Sequence, residues 1–202
     1  MGMRAYHRHQ FAKEIILSKH QPPGAFPLVL ILDNMKPTFN IGKIIRTANA
    51  LGIREVHLVG IPIFDLRTAR GALRHTRSRR FETFAESYET LKTEGYAFFA
   101  LAPQADATLG ESAFPEKSAF IVGHEEFGLS FDSAKFPDIK KLRIPQFGRV
   151  QSLNASIAAS ISCFEYLRQR NFVPPVQTAA PVVDTLSVSP CHPEVGATTV
   201  PA

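Results

Sequence analysis

LVLILDNMKPTFNIGKIIRTANALG, residues 28–52, holds an apolar run, a break and a helix, and its reading decides the fold. LVLILD (28–33) stays apolar up to its final residue, the pattern of a short strand covered on both faces rather than half in water. Pro37 keeps the following stretch irregular, and Asn40 is a good N-cap for a helix over 42–51. Gly42 lets backbone pack or bind closely there.

Moving outward, EVHLVG (55–60), YAFFALA (96–102) and SAFIVG (118–123) repeat the apolar run, and residues 140–145 form a weaker fifth. Helical character fills the gaps at 42–51, 65–74, 86–94 and 153–170. Strands alternating with helices predict an α/β domain with a mainly parallel sheet flanked by helices. In the last helix Leu153, Ile157, Ile161, Phe164 and Leu167 recur at helical spacing, and this stripe serves either the core or an interface. Residues 4–19 form a peripheral amphipathic helix with Phe11, Ile15 and Ile16 on one side, ended by QPPG at 21–24. Beyond Arg170 come six prolines and no Lys or Arg, so the chain divides into a helical extension (1–26), the main domain (27–172) and a Pro-rich, disordered tail (173–202). A short strand at Val182–Val188 within that tail is the alternative.

With 45% hydrophobic and 20% charged residues, the composition is that of a soluble globular protein. The net charge is +5, and the part through Arg170 carries 23 − 16 = +7, which suits a polyanionic partner such as RNA. Cys163 and Cys191 belong to no C-x-x-C or Cys/His cluster, so no metal is expected and a reduced, cytoplasmic protein is the simplest reading. The N-terminal apolar stretch FAKEIIL is short and interrupted by charges, so neither a signal peptide nor a membrane span is predicted. No G-x-G-x-x-G after a strand, no Walker motif and no G-x-S-x-G is present, which disfavours dinucleotide and nucleotide enzymes and hydrolases of those types.

Three polar motifs remain, each beside a glycine where an apolar run meets a helix or turn: NIGKIIRTANALG (40–52), IVGHEEFGLS (121–130) and IPQFGRVQSLNASIAASI (144–161). Taken alone, Arg46 reads as a solvated helix charge, Glu125 and Glu126 as surface-turn carboxylates, and Ser152 as the N-cap of the last helix. A glycine-flanked loop at a strand's carboxyl end and a helix N-terminus are equally fitted to bind a ligand. RTARGALRHTRSRR (67–80) adds six arginines; if it is helical, Arg67, Arg70, Arg74 and Arg77 share one face suited to phosphates.

In order and spacing, the three motifs resemble the signature of the SpoU/TrmH family of RNA ribose methyltransferases, of the SPOUT superfamily, over residues 27–170. N-x-G-x-x-x-R-T-A-x-x-x-G is met at Asn40, Gly42, Arg46, Thr47, Ala48 and Gly52; G-x-E-x-x-G at Gly123, Glu125 and Gly128; S-L-N at Ser152, Leu153 and Asn154. His124 stands where Asn, Ser or Pro is common and receives no catalytic role. The resemblance implies transfer of a methyl group from S-adenosylmethionine to a ribose 2′-hydroxyl. Arg46 would be the main catalytic residue, with Asn40, Glu125, Ser152 and Asn154 holding it and the ribose. Leu101, Gly123, Ile144 and Leu153 would surround the cofactor, and Arg67, Arg70, Arg74 and Arg77 would contact RNA. It further implies a trefoil knot over about 96–170 and a homodimer with catalytic parts from both subunits. Because some 27 residues precede the first strand, the extra RNA-binding domain of larger rRNA-modifying relatives is not expected, which favours tRNA over rRNA. A non-catalytic RNA-binding module of the same fold is the alternative, and an interaction protein built on the tail is a third reading.

Overall fold

The computed structural model describes residues 3–171. Its elements run α1 (Met3–Lys19), β1 (Phe26–Asp33), α2 (Phe39–Ala50), β2 (Ile53–Val59), β3 (Ser78–Phe81), α3 (Phe84–Thr93), β4 (Ala97–Leu101), β5 (Ser118–Val122), β6 (Lys140–Leu142) and α4 (Ala155–Arg168). The six strands form one sheet, ordered β3-β2-β1-β5-β4-β6, and all its pairings are parallel.

Burial explains why LVLILD carries no alternation. Leu28, Leu30 and Leu32 point into one core, with Ile41, Ile44 and Ile45 of α2 and Ala159, Cys163 and Tyr166 of α4. Val29 and Ile31 point into the other, with Phe84, Tyr88 and Leu91 of α3. A strand with apolar layers on both faces loses free energy from a polar residue at either parity. The order reverses around β1: the chain builds outward through β2 and β3, then crosses to lay down β4, β5 and β6. Loops at the carboxyl ends of β1 and β5, which are paired neighbours with Leu30 opposite Phe120, therefore lie side by side.

The structure adds one strand, corrects two sequence expectations and divides the α4 stripe, which the sequence leaves open between core and interface. SRRF forms β3, missed because its two arginines mask an edge strand. The helix expected over 65–74 is two separate 3-10 turns, Leu66–Ala69 and Ala72–His75, broken where Arg70 and Gly71 take positive φ (50° and 78°). The α4 stripe does not face the core as a unit: Ile157, Ile161 and Phe164 are exposed, whereas Ser156, Ala159, Ser162 and Cys163 are buried. Small residues on the inner face let α4 lie close to its neighbours, and Thr47 of α2 meets Ser160 hydroxyl to hydroxyl at 2.9 Å. In α1 Phe11 is buried, edge-on to Phe64 at 5.1 Å, but Ile16 is exposed. The tail and its alternative strand lie outside the described residues.

Candidate active site

The first turn of α2, the second motif and the start of α4 meet through the side chains of Asn40, Glu125 and Asn154. Asn154 donates Nδ2–H to Oδ1 of Asn40 (3.1 Å), and Asn40 donates Nδ2–H to Oε1 of Glu125 (2.9 Å). The other Glu125 oxygen accepts the backbone N–H of Lys36 at 3.1 Å. One residue from each motif thus joins a polarised chain ending on a carboxylate, although the three lie 29 to 114 residues apart. Oriented donors ending on a charged acceptor make stronger hydrogen bonds than neutral pairs and fix the rotamers involved.

Local sequence accounts for each member. The N-cap of α4 is Asn154, not Ser152: Oδ1 of Asn154 accepts Ser156 N–H at 2.9 Å and its hydroxyl at 2.6 Å. That spends the oxygen of Asn154 and leaves its amide N–H for Asn40. Asn40 does not cap α2 either; the helix begins at Phe39 with Thr38 at the cap, and the Asn40 amide is committed to the other motifs.

Glu125 rides on a rigid turn. Backbone bonds His124 N to Gly128 O (2.7 Å) and Gly128 N to His124 O (2.9 Å) close it, and Nδ1 of His124 accepts the N–H groups of Glu126 and Phe127. A Cβ at Gly123 would stand 2.6 Å from the Gly128 carbonyl oxygen, so only glycine fits that closure. His124 is thereby a structural acceptor within the turn. Lys36 ion-pairs with Glu126, and its hydrogen bond holds that carboxyl below the ordinary value. Beneath the loop, buried Asp33 accepts Ser130 N–H (2.7 Å) and its hydroxyl (2.5 Å), clamping the motif to β1. Burial raises the Asp33 carboxyl above its usual range, against the lowering effect of those two bonds.

Beside this network lies a cavity of about 740 Å³ whose lining includes Leu101, Gly123, Ile144 and Leu153, the four positions expected around a cofactor, together with Glu125, Ser152 and Asn154. Such a volume accommodates a nucleoside-sized ligand. Gln146 also lines it, and its buried Oε1 has no hydrogen-bond partner. A buried acceptor left unpaired costs on the order of 1–3 kcal/mol, so this wall calls for a ligand donor. S-adenosylmethionine, with amino and hydroxyl donors on an apolar-and-polar frame, fits the donor set and the volume.

Arg46 stands apart from these residues. It lines a second, open cleft of about 640 Å³ with Phe39, Lys43, Arg67, Thr68 and Arg70, and among the described residues it has no hydrogen-bond or ion-pair partner. Within one chain Asn40, Glu125, Ser152 and Asn154 gather at one locus and Arg46 lines another. Nor do the four predicted RNA arginines share a face. Arg67 pairs with Asp65 and stacks over Phe39, Arg74 reaches Glu14, and Arg77 donates to Glu55 at 2.9 Å. Arg77 is thus built into the fold, since Glu55 also bonds buried His57 (2.8 Å), whose other nitrogen meets Ser87. Burial would raise the Glu55 carboxyl, but the bonds and charges of His57, Arg77 and Arg79 outweigh it and hold it at about 2. Sequence reading missed Lys36 and Gln146; their only signal was adjacency to Pro37 and Pro145.

Among the described residues no group of three His, Cys, Asp or Glu is placed to hold a metal, and no helix is long and apolar enough to cross a membrane.

Residues 27–164 match the model of the SpoU rRNA methylase family. A Synechocystis protein described as an uncharacterized tRNA/rRNA methyltransferase is 33% identical over 162 residues, 78% of this chain and 42% of its own length. The tRNA (guanosine(18)-2′-O)-methyltransferase of Thermus thermophilus is also 33% identical, over 78% of this chain and 80% of its own. Among solved structures, the SpoU methyltransferase AviRb of Streptomyces viridochromogenes, in complex with AdoMet, superposes with a TM-score of 0.64 at 26% identity, covering 73% of this chain and 62% of its own.

Proposed function

The chain belongs to the SpoU rRNA methylase family, and from that premise we propose that it is an S-adenosylmethionine-dependent methyltransferase acting on a ribose 2′-hydroxyl in RNA. The carrying observation is the Asn154–Asn40–Glu125 chain beside the 740 Å³ cavity, which joins all three motifs at one place.

S-adenosylmethionine, when bound, supplies an electrophilic methyl group. Leu101, Ile144 and Leu153 would enclose it, Gly123 would bring backbone close and Gln146 would accept one of its donors. The protein's task is then to align a ribose hydroxyl and assist loss of its proton. The guanidinium of Arg46 offers N–H donors and no acceptor, so it is suited to orient the hydroxyl and stabilise developing negative charge on oxygen. Glu125, Asn40, Asn154 and Ser152 position the ribose edge. Lys43, Arg67 and Arg70 around Arg46 offer phosphate contacts.

We further propose a homodimer. Ile157, Ile161 and Phe164 leave an apolar strip of α4 in water, and a site shared between two copies accounts for the separation of Arg46 from Glu125. A C-terminal trefoil knot is proposed from the family membership. It is supported by the way Tyr166, Gln169 and Arg170 bond the backbone of 112–116, while residues 107–109 bond Arg143 ahead of α4. tRNA is proposed ahead of rRNA as substrate, and the cytoplasm as location.

The test is transfer of labelled methyl from S-adenosylmethionine into tRNA and rRNA by wild type and Arg46→Ala, followed by digestion of the product. Labelled 2′-O-methylribose from wild type, strongly reduced in the variant while cofactor binding persists, is expected. Cofactor binding without transfer to either RNA pool would overturn the proposal.

A further inference from the structure

Phe127 is 80% exposed at the tip of the turn that carries Glu125, two residues from the carboxylate that anchors the polar network. It does not line the 740 Å³ cavity. Exposed aromatics on loose loops are common, but this one is held. Its backbone N–H bonds His124 Nδ1 at 3.3 Å, the turn is closed at both ends by the His124–Gly128 pair, and its ring leans on the imidazole with centroids 4.7 Å apart and a 33° tilt. One ring face is therefore backed by His124, and the ring is presented to solvent on a frame that Gly123 and the Asp33–Ser130 clamp keep rigid.

We infer that Phe127 is a stacking platform for an unpaired base of the RNA substrate. The inference rests on the methyl-transfer reading above, because a ribose held at Glu125 and Asn40 would carry its own base and the adjoining ones beside the turn that holds Phe127. In A-form duplex the bases are stacked on one another and their faces are closed to side chains, so a ring placed here can engage only a base taken out of the stack. The neighbouring charge does not oppose this, since Glu126 is paired with Lys36 and Glu125 is committed to Asn40. The platform predicts a substrate nucleotide in a loop, bulge or single strand rather than in a continuous helix.

The chain contains no tryptophan, so Phe127→Trp places a sole indole reporter at the platform. The probes are a single-stranded oligoadenylate and an RNA duplex of equal length, with binding measured in parallel by filter retention and cofactor affinity by calorimetry. Expected are quenching of indole emission by the single strand and markedly less by the duplex. Phe127→Ala should weaken single-strand binding by about 5- to 150-fold, the worth of one stacked base, while Phe127→Tyr retains it and cofactor affinity stays unchanged in all three variants. Unchanged emission at single-strand concentrations that saturate the filter assay would overturn the inference, as would equal quenching by both probes or failure to bind either. A change of oligomeric state in Phe127→Ala would overturn it too, assigning the ring to a contact between copies. Because quenching needs no methyl transfer, failure of the platform and failure of the enzymatic reading are told apart by the transfer assay on wild type.

Discussion

Gly42→Ala tests how the Arg46 cleft is assembled. Gly42 lies in the first turns of α2, where Ala is ordinarily favoured by up to about 1 kcal/mol. Here the added Cβ would stand 2.3 Å from Thr68 Oγ1 and 2.8 Å from the backbone nitrogen of Ala69. The Thr68 hydroxyl is committed to the carbonyl of Phe39 at 2.8 Å, and the Ala69 nitrogen belongs to the 3-10 turn, so neither contact relaxes by a free rotor alone. Overpacking of this kind costs about 1–3 kcal/mol, and a weakened hydrogen bond adds roughly 1 kcal/mol. The clash outweighs the propensity gain, leaving a net loss of about 2 kcal/mol. For a domain of this size that lowers Tm by roughly 4–8 °C. Thermal and urea unfolding of Gly42→Ala measure the loss, with Gly110→Ala, whose Cβ meets nothing within 4 Å, as an expected near-neutral control. Since the displaced turn carries Arg67 and Arg70 into the cleft with Arg46, RNA affinity should fall in parallel. A variant as stable as wild type would refute the packing argument.

Asn40→Ala should lower the methyl-transfer rate at least about 10-fold while changing stability by under about 1 kcal/mol, since it cuts Glu125 from Asn154 at a partly exposed position; single-turnover kinetics beside chemical denaturation separate the two. Glu55 is held at about 2 against an ordinary 4.5, so its contribution is present above the ordinary value and is lost as pH falls toward 2; Glu55→Gln should cost about 2–4 kcal/mol at neutral pH and flatten acid unfolding across that window. Asp33 has the opposite sign: with its folded value raised by burial, stability falls as pH rises from the ordinary carboxylate range through the raised value, and urea midpoints across pH for Asp33→Asn should lack that decline. Ile157→Glu with Phe164→Glu should leave the chain monomeric by sedimentation, at little cost to folding because both side chains are exposed.

What the residue string determined by itself was one-dimensional. Continuous apolar runs declared doubly covered strands at β1, β4 and β5, because burial on both faces leaves little room for unpaired polar residues, whereas β2 carries Glu55 and His57 inside and bonds them to each other. The three motifs were legible for the same reason: glycines and uncommitted polar groups at the ends of such runs leave a signature independent of what they touch. The positions around the cofactor followed from family resemblance, and the cavity collects all four of them. What only tertiary structure decided was who partners whom. Asn154, not Ser152, caps α4, because a cap is chosen by which oxygen reaches the N–H groups, and both residues have suitable chemistry. Spacing alone set Arg67, Arg70, Arg74 and Arg77 on one face, but a left-handed turn at Arg70 and Gly71 broke the helix that spacing presupposed, and Glu55 drew Arg77 into the fold. The α4 stripe looked equally fit for core or interface, since hydrophobic periodicity reports a face and not its neighbour; packing put Ser156, Ala159 and Ser162 inside and left Ile157, Ile161 and Phe164 in water. Arg46 shares a motif with Asn40 yet lines a different cleft, because six residues along an α-helix turn the side chain away from the face where Glu125 waits.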